Sequence, residues 1–328
     1  MSAPGRPADI ARRPPPTITF KDIDMDRRVV LLGAAWLLGG STTAATAKSP
    51  DDGFSASAAV GIAYQSQVAV LELDQSAGTG DLARQLELGL SWQRRHSGGA
   101  RLSASYELWD SQHFDLPEFD LRSHALSLDL GTRLGQAEVG LLLNRADAAL
   151  NGERYLGFSQ ASPYVSHMLG ERLALRLAYA WTDRDFSSDP ARDARLQALA
   201  ADAFVLLDGM QRYLVLGLRL EEENAREREY GFEGYRLSLH SVHHLAMGTR
   251  ELRLRAGLRH EGRRFAKPLL PIDSRRRDER YRLETRLELP LHGPFIASAR
   301  YEYGDNRSTL PAADFSEHLV AISLQASF

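Results

Sequence analysis

Along most of this chain apolar and polar residues alternate one by one. In "LELGLSW", Leu86, Leu88, Leu90 and Trp92 share one parity while Glu87, Gly89 and Ser91 hold the other. "RLSASYEL" sets Leu102, Ala104, Tyr106 and Leu108 against Arg101, Ser103, Ser105 and Glu107. "RLALRLAYAW" aligns Leu173, Leu175, Leu177, Tyr179 and Trp181. "ELRLRAGLRH" opposes Leu252, Leu254, Ala256 and Leu258 to Arg253, Arg255, Gly257 and Arg259. A series at i, i+2 smears around a helix but lines one face of a strand, so the period predicts β structure. It predicts about fourteen strands, over 54–71, 82–95, 100–110, 120–134, 136–147, 154–167, 172–183, 194–207, 212–222, 232–246, 250–264, 279–290, 294–304 and 316–328. Each reaches the ~9–11 residues that a tilted membrane strand needs.

The connections sharpen the picture. The odd ones are long and polar: "DQSAGTGD", "SQHFDLPEF", "RDFSSDPARD", "EENAREREYG", "AKPLLPIDSRRRD" and "DNRSTLPAADF". The even ones are tight: "RHSGGA", "RLGQ", "MLGER", "LDGMQR", "MGTRE" and "LHGP". The fifth-to-sixth connection, "AALNG", fits this phase least clearly. Short turns at one end, long loops at the other and an even strand count describe an up-and-down outer-membrane barrel, with the short turns periplasmic. The expected fold class is therefore all-β, a transmembrane antiparallel up-and-down β-barrel. A soluble sandwich would alternate too, but its strands average about 5–6 residues and its loops follow no parity. Trp92, Trp181, Tyr281, Tyr301, Tyr303 and Phe328 fall on the apolar parity toward strand ends, where an aromatic girdle belongs. The chain ends on "HLVAISLQASF", a strand pattern that closes on Phe328.

Composition alone would not have raised a membrane. The 328 residues are 43% hydrophobic and 25% charged with a formal net charge of −3, values that alternating strands average to as readily as a soluble protein does. There is no cysteine, which excludes disulfides, thiol metal sites and a cysteine nucleophile. No apolar run after the N-terminal region is long enough for a helical span. From Met25 the chain reads as a secretory signal: Arg27 and Arg28, an apolar stretch from Val29 to Gly40, and "ATA" ending at Ala47. The expected organisation is residues 1–24 as an upstream extension before the true start, 25–47 as signal peptide cleaved between Ala47 and Lys48, and 48–328 as the barrel.

Four stretches carry a resemblance: "FDLPEFDLRSHALSLDL", "ERYLGFSQASPYVSHML", "DGMQRYLVLGLRLEEENA" and "YEYGDNRSTLPAADFSEHLVAISLQASF". Their spacing resembles the C-terminal barrel of the surface lipoprotein assembly modifier family and related tetratricopeptide–barrel proteins of Gram-negative bacteria. The resemblance implies a fourteen-stranded barrel and a role in delivering lipoproteins to the cell surface. Members carry a periplasmic helical repeat domain ahead of the barrel, whereas here only a few residues separate Ala47 from the first strand. A separate periplasmic repeat protein or lipoprotein is then the partner implied. The closing aromatic strand also resembles the signal read by the barrel assembly machinery.

On the polar parity the last strands are densely charged: Arg253, Arg255, Arg259, Arg280, Arg282, Arg286 and Arg300, with Glu284, Glu288 and Glu302. Cross-strand pairing would make them a hydrated ladder filling the lumen. Read as a selectivity surface, the arginine excess would favour anions. His240, His243 and His244 are expected to be a solvated group near a turn rather than a metal site, and Asp183, Asp185, Asp189 and Asp193 lack the spacing of a calcium loop. No local motif marks a catalytic set, and "GTG" at Gly78–Gly80 precedes no helix that would make it a phosphate loop. The expectations are an outer-membrane pore or export component, no enzymatic activity, no cofactor and no metal. Lipid and lipopolysaccharide are the expected surroundings, and nucleic acid is not a partner. The alternative is a non-conducting structural or accessory barrel that docks periplasmic proteins, and a third reading is an enzyme with its site at the rim.

Overall fold

The computed structural model describes residues 52–248 and 250–328. The signal region, with Ala47 and Lys48, lies outside them. Fourteen antiparallel strands close into one barrel, each paired with its neighbours in sequence and the last paired with the first. In chain order the wall is β1 (Gly53–Gln65), β4 (Asp81–Arg95), β5 (Arg101–His113), β6 (Leu121–Leu134), β7 (Ala137–Leu150), β8 (Glu153–Leu169) and β9 (Leu173–Phe186). It continues through β10 (Ala194–Asp208), β11 (Arg212–Ala225), β12 (Phe232–Met247), β13 (Arg250–Leu269), β14 (Ser274–Pro290), β15 (Phe295–Ser308) and β16 (Phe315–Ser327). Two short strands, β2 (Ala69–Val70) and β3 (Gln75–Ser76), form a hairpin apart from the wall.

The seam is made by β1 and β16, with Ile62 opposite Ile322 and Ala58 opposite Ala326. Ala56 and Phe328 exchange two backbone hydrogen bonds of 2.9 and 2.8 Å at its end. Closure satisfies every ladder group that an open edge would leave bare in hydrocarbon. Alternation then separates the faces: Ile322 is 67% exposed while its neighbour Ala321 is 7% exposed. Val60, Ile62, Leu88, Leu90, Leu177, Leu199, Leu218, Leu237, Leu258, Leu283 and Leu324 likewise remain on the outside. Arg286, Arg300, Glu302, Glu261, Asp278 and Gln325 are buried on the inside. An apolar belt outside and a polar lumen inside, on a closed barrel, is the inverse of a soluble core and is stable only with lipid around it. This barrel lies in the bacterial outer membrane.

Three expectations about the wall need correction. The first strand ends at Gln65, not at 71, because the alternating "VAVLEL" that follows buries its apolar side in the lumen instead of facing lipid. The fifth-to-sixth connection breaks the long-loop phase: β7 and β8 meet in a two-residue turn, Asn151–Gly152, with φ of 49° and 80°. Asn-Gly is the pair that tolerates two left-handed residues in a tight hairpin. The strand pair β13–β14 runs past its predicted ends, since inward alternation continues through Arg276 and Asp278, leaving only a short turn around Leu270–Ile272.

Candidate functional site

The lumen is crossed by its first loop. After β1, Ser66 donates to the His318 carbonyl, and the chain then turns into the barrel as the β2–β3 hairpin. Val68 and Thr79, and Ala77 and Val68, close the hairpin stem with backbone bonds of 3.0 and 2.9 Å. Val70 is buried against Ala146, Ala148, Tyr155, Leu156, Phe158 and Phe186 on the wall formed by β7, β8 and β9, with Leu73 packed beside it. Tyr155 reaches this cluster because a register shift between Ala148 and Ala149 leaves it unpaired in the ladder.

At the hairpin tip stands Asp74, a non-glycine residue at φ 54°. Its carboxylate accepts two hydrogen bonds from the Arg276 guanidinium, at 2.7 and 2.8 Å, and one from Arg192 at 2.8 Å. Arg276 is itself held by Asp278 at 2.8 and 2.9 Å and lies over the Phe265 ring at 4.6 Å. Arg192 also donates to the Glu72 carbonyl at 3.1 Å and lies over Tyr230 at 4.4 Å. Burial alone would raise the Asp74 carboxyl, but the hydrogen bonds and charge of Arg276, followed by those of Arg192, hold it below the ordinary carboxylate range. Two residues earlier the balance reverses. Burial pushes the Glu72 carboxyl up, and the charges of Arg184, Arg280 and Arg263 only partly offset it.

Below the hairpin the ladder is paired throughout. Glu261 accepts from Arg236 at 2.9 Å and Arg259 at 3.1 Å, with Arg263 at 3.6 Å. Arg282 binds Glu317 at 2.9 Å, and Arg300 stands 3.4 Å from Glu302. Arg253 and Arg255 share Glu288, Arg280 faces Asp278, and Arg286 faces Glu284. All ten ladder residues therefore do point into one lumen. The count along the last strands was incomplete on both sides: Glu221, Glu223, Glu261, Asp278 and Glu317 line the lumen too, and Arg184, Arg219, Arg236 and Arg276 come with them, so that the arginines stand paired with carboxylates. Among the described residues the lumen holds a cavity of about 110 Å³ under the hairpin and another of about 140 Å³ beyond it, and Arg236, Arg259 and Arg282 line both. At ~30 Å³ per water they hold a few water molecules each.

The histidines do not form the solvated group expected of them. His240 points inward beside Arg259 and Gly257, His244 pairs with Glu251 at the rim, and His243 stands on the outer face. The four loop aspartates are each engaged: Asp183 with Arg195, Asp185 with Arg154, Asp189 with Arg192, and Asp193 with Arg226 and the Phe186 amide. Asp193 also belongs to a loop motif missed in the sequence. "PEFD", "PARD" and "PAAD" each form a single 3-10 turn. In each, the closing aspartate (Asp120, Asp193, Asp314) accepts from a backbone amide of the preceding strand: His113, Phe186 and Ser308. The repeat of Pro-x-x-Asp in three loops of the same end was the signal available.

The aromatics fall in two tiers on the outer face. Phe54 and Trp92, 6.3 Å apart, sit near the short-turn end with exposed Phe295 and Phe328. Farther toward the loops, Trp181 meets Tyr179 at 4.6 Å, Tyr281 stacks on His260 at 4.4 Å, and Tyr301 and Tyr303 flank His318.

Several solved structures align over most of this chain. OmpT of Vibrio cholerae, an outer membrane protein, aligns in a form lacking loop L8 with a TM-score of 0.49 at 8% identity, over 85% of this chain and 100% of its own. An anion-selective porin from Comamonas acidovorans aligns at 0.48 and 11%, over 84% and 99%. The CymD monoaromatic hydrocarbon channel aligns at 0.47 and 12%, over 85% and 89%. No protein-family profile matches the sequence, and no curated protein matches it.

Proposed function

We propose that this barrel is an outer-membrane passage for small polar solutes, held narrow by its first loop. One observation carries the reading: a hairpin tip clamped by Asp74 to Arg192 and Arg276 spans a lumen whose wall is charged along its length. A lumen meant only to be filled has no need of a detachable segment. A loop fixed by ion pairs to Arg192 of the β9–β10 loop and to Arg276 of β14 can leave without breaking the ladder. Both of these cavities are too small for a solute larger than a few waters, and a hairpin that swings out would join and widen them. Ions of either sign would meet paired arginines and carboxylates, and selectivity would rest on size and hydrogen bonding more than on net charge. The aromatic tiers act as the girdle that seats the barrel, with the short-turn end toward the periplasm. No reaction is assigned to it.

The resemblance to lipoprotein assembly modifiers supports a second reading, export aided by a separate periplasmic repeat protein. A peptide client would need far more room than the hairpin leaves, and for that reason the solute passage is placed first.

Planar-bilayer recording on the refolded barrel tests the proposal. The parent should give small, infrequent openings, and a variant lacking Ala69–Ser76 should open steadily. If the hairpin deletion folds and still carries no current, the barrel is an accessory structure and the passage reading fails.

A further inference from the structure

On the outer face of β13 and β14, just above the aromatic tier, three arginines lie exposed without a carboxylate partner among the described residues, Arg264, Arg275 and Arg277, and Lys267 is exposed beside them where the register shifts. Arg264 and Arg277 are directly opposite each other in the ladder, and Arg275 faces Pro268. Like charges placed opposite each other repel and weaken a sheet unless something neutralises them. The acids nearby are otherwise placed. Glu279 accepts from the Tyr281 hydroxyl, Asp305 pairs with Arg307, Glu233 stands across from Arg264 with no ion pair formed, and Asp273 turns the loop.

Depth fixes what could neutralise the pair. The stacked His260 and Tyr281 mark the upper aromatic tier on the same two strand faces, and Gly262 above them is covered by the Tyr235 ring. From His260 to Arg264 the strand rises by ~13 Å at ~3.3 Å per residue, less in height because the strand tilts. That places the cations in the headgroup layer, directly above the hydrocarbon. Below them the outer face carries an apolar hollow of about 780 Å³ across β8 to β13, lined by Leu177, Leu216, Leu218, Leu237, Leu239 and Leu258, with His260 at its upper edge. A shallow apolar hollow bordered at its β13 edge by cations that form no ion pair suits a molecule with acyl chains and a phosphate.

We propose that Arg264 and Arg277, supported by Lys267 and Arg275, bind the phosphate of an anionic outer-leaflet lipid of the lipid A type, with its acyl chains in the hollow. A bidentate guanidinium matches a phosphate better than a water shell does, and two of them side by side match one dianion. The site lies on the lipid side of the wall and does not depend on whether the lumen conducts.

Native mass spectrometry of the full barrel in neutral detergent, with bisphosphorylated and dephosphorylated lipid A as probes, tests it. The phosphorylated lipid should be retained at least tenfold more strongly. The double variant Arg264→Ala and Arg277→Ala should lose that preference while keeping its heat-modifiable migration on gels. Equal retention of the two lipids, or an unchanged preference in the double variant, would overturn the proposal. So would displacement of lipid A by millimolar inorganic phosphate, which would mark a free-anion site. A second variant, Arg277→Glu, places a carboxylate opposite Arg264. It should melt higher than the parent in lipid-free detergent and gain nothing from lipid A. A lower lipid-free melting temperature would remove the repulsion on which the site rests.

Discussion

At the residue scale, the carboxylates of the lumen divide into those that hold the wall and those that hold the loop. Glu261 is of the first kind, because Arg236, Arg259 and Arg263 all lean on it. Glu261→Gln leaves buried guanidiniums short of a counter-charge, and breaking such a set costs about 3–5 kcal/mol. The urea midpoint of the refolded barrel should fall accordingly. Asp74 is of the second kind. Asp74→Ala removes charge-assisted bonds worth about 1.5–3 kcal/mol each in general, so open probability should rise at least tenfold while the urea midpoint barely moves. The two acids of the hairpin respond to pH in opposite senses. Glu72 has a raised folded pKa, so the docked loop is penalised at neutral pH and relieved as pH falls toward the raised value, above its ordinary 4.5. Asp74 has a lowered one, so its clamp persists until pH drops below the ordinary 3.8. Mild acidification should therefore reduce channel openings, strong acidification should restore them, and Glu72→Gln should abolish the first effect only. Openings that respond to mild acidification alike in the parent and in Glu72→Gln would remove Glu72 from the gate.

At the element scale, the hairpin of β2 and β3 is separable from the wall. β1 pairs with β4 from Gly53–Gln93 to Gln65–Asp81, so the ladder is complete below the loop. Deleting Ala69–Ser76 should raise single-channel conductance several-fold and leave heat-modifiable folding intact, which gel shift and bilayer recording check together. The hairpin also shows where the period of two loses its meaning. Val68 and Val70 continue the i, i+2 spacing of lipid-facing residues, yet Val70 is buried on the opposite wall beside Tyr155 and Phe158. Alternation reports that one side of a strand is apolar, and it says nothing of whether that side meets lipid or another wall. The tight Asn151–Gly152 turn has the same lesson in reverse, for its turn chemistry was visible in "NG" and was outweighed by the expectation of a long loop.

At the scale of the whole molecule, closure decides stability. Among the described residues the β1–β16 seam is the one wall junction between distant parts of the sequence, and its Ser57–Ser327 to Gln65–Leu319 register makes the barrel one cooperative unit. A chain truncated before Leu319 leaves β1 and β15 as open edges, which hydrocarbon cannot solvate. Such a protein should fail to show the heat-modifiable band in detergent and should not insert into vesicles. A single Phe328→Ala change leaves the ladder in place and should fold, with slower assembly.

The sequence by itself determined the wall: its strand number, its parity, which residues face lipid and which face inward. That information is local, because an extended chain with one apolar side has one way to lie in a bilayer, and each strand finds its partner next door. Only the tertiary structure decided what fills the lumen. The pairing of Arg236 with Glu261, of Arg282 with Glu317, and of Asp74 with Arg276 joins residues on different strands or in distant parts of the chain. Counting charges along the last strands found the arginines and missed their partners, because charge balance is a property of the closed ring. The docked hairpin and the like-charged pair of Arg264 and Arg277 belong to the same class: both exist only once curvature and register bring distant positions together.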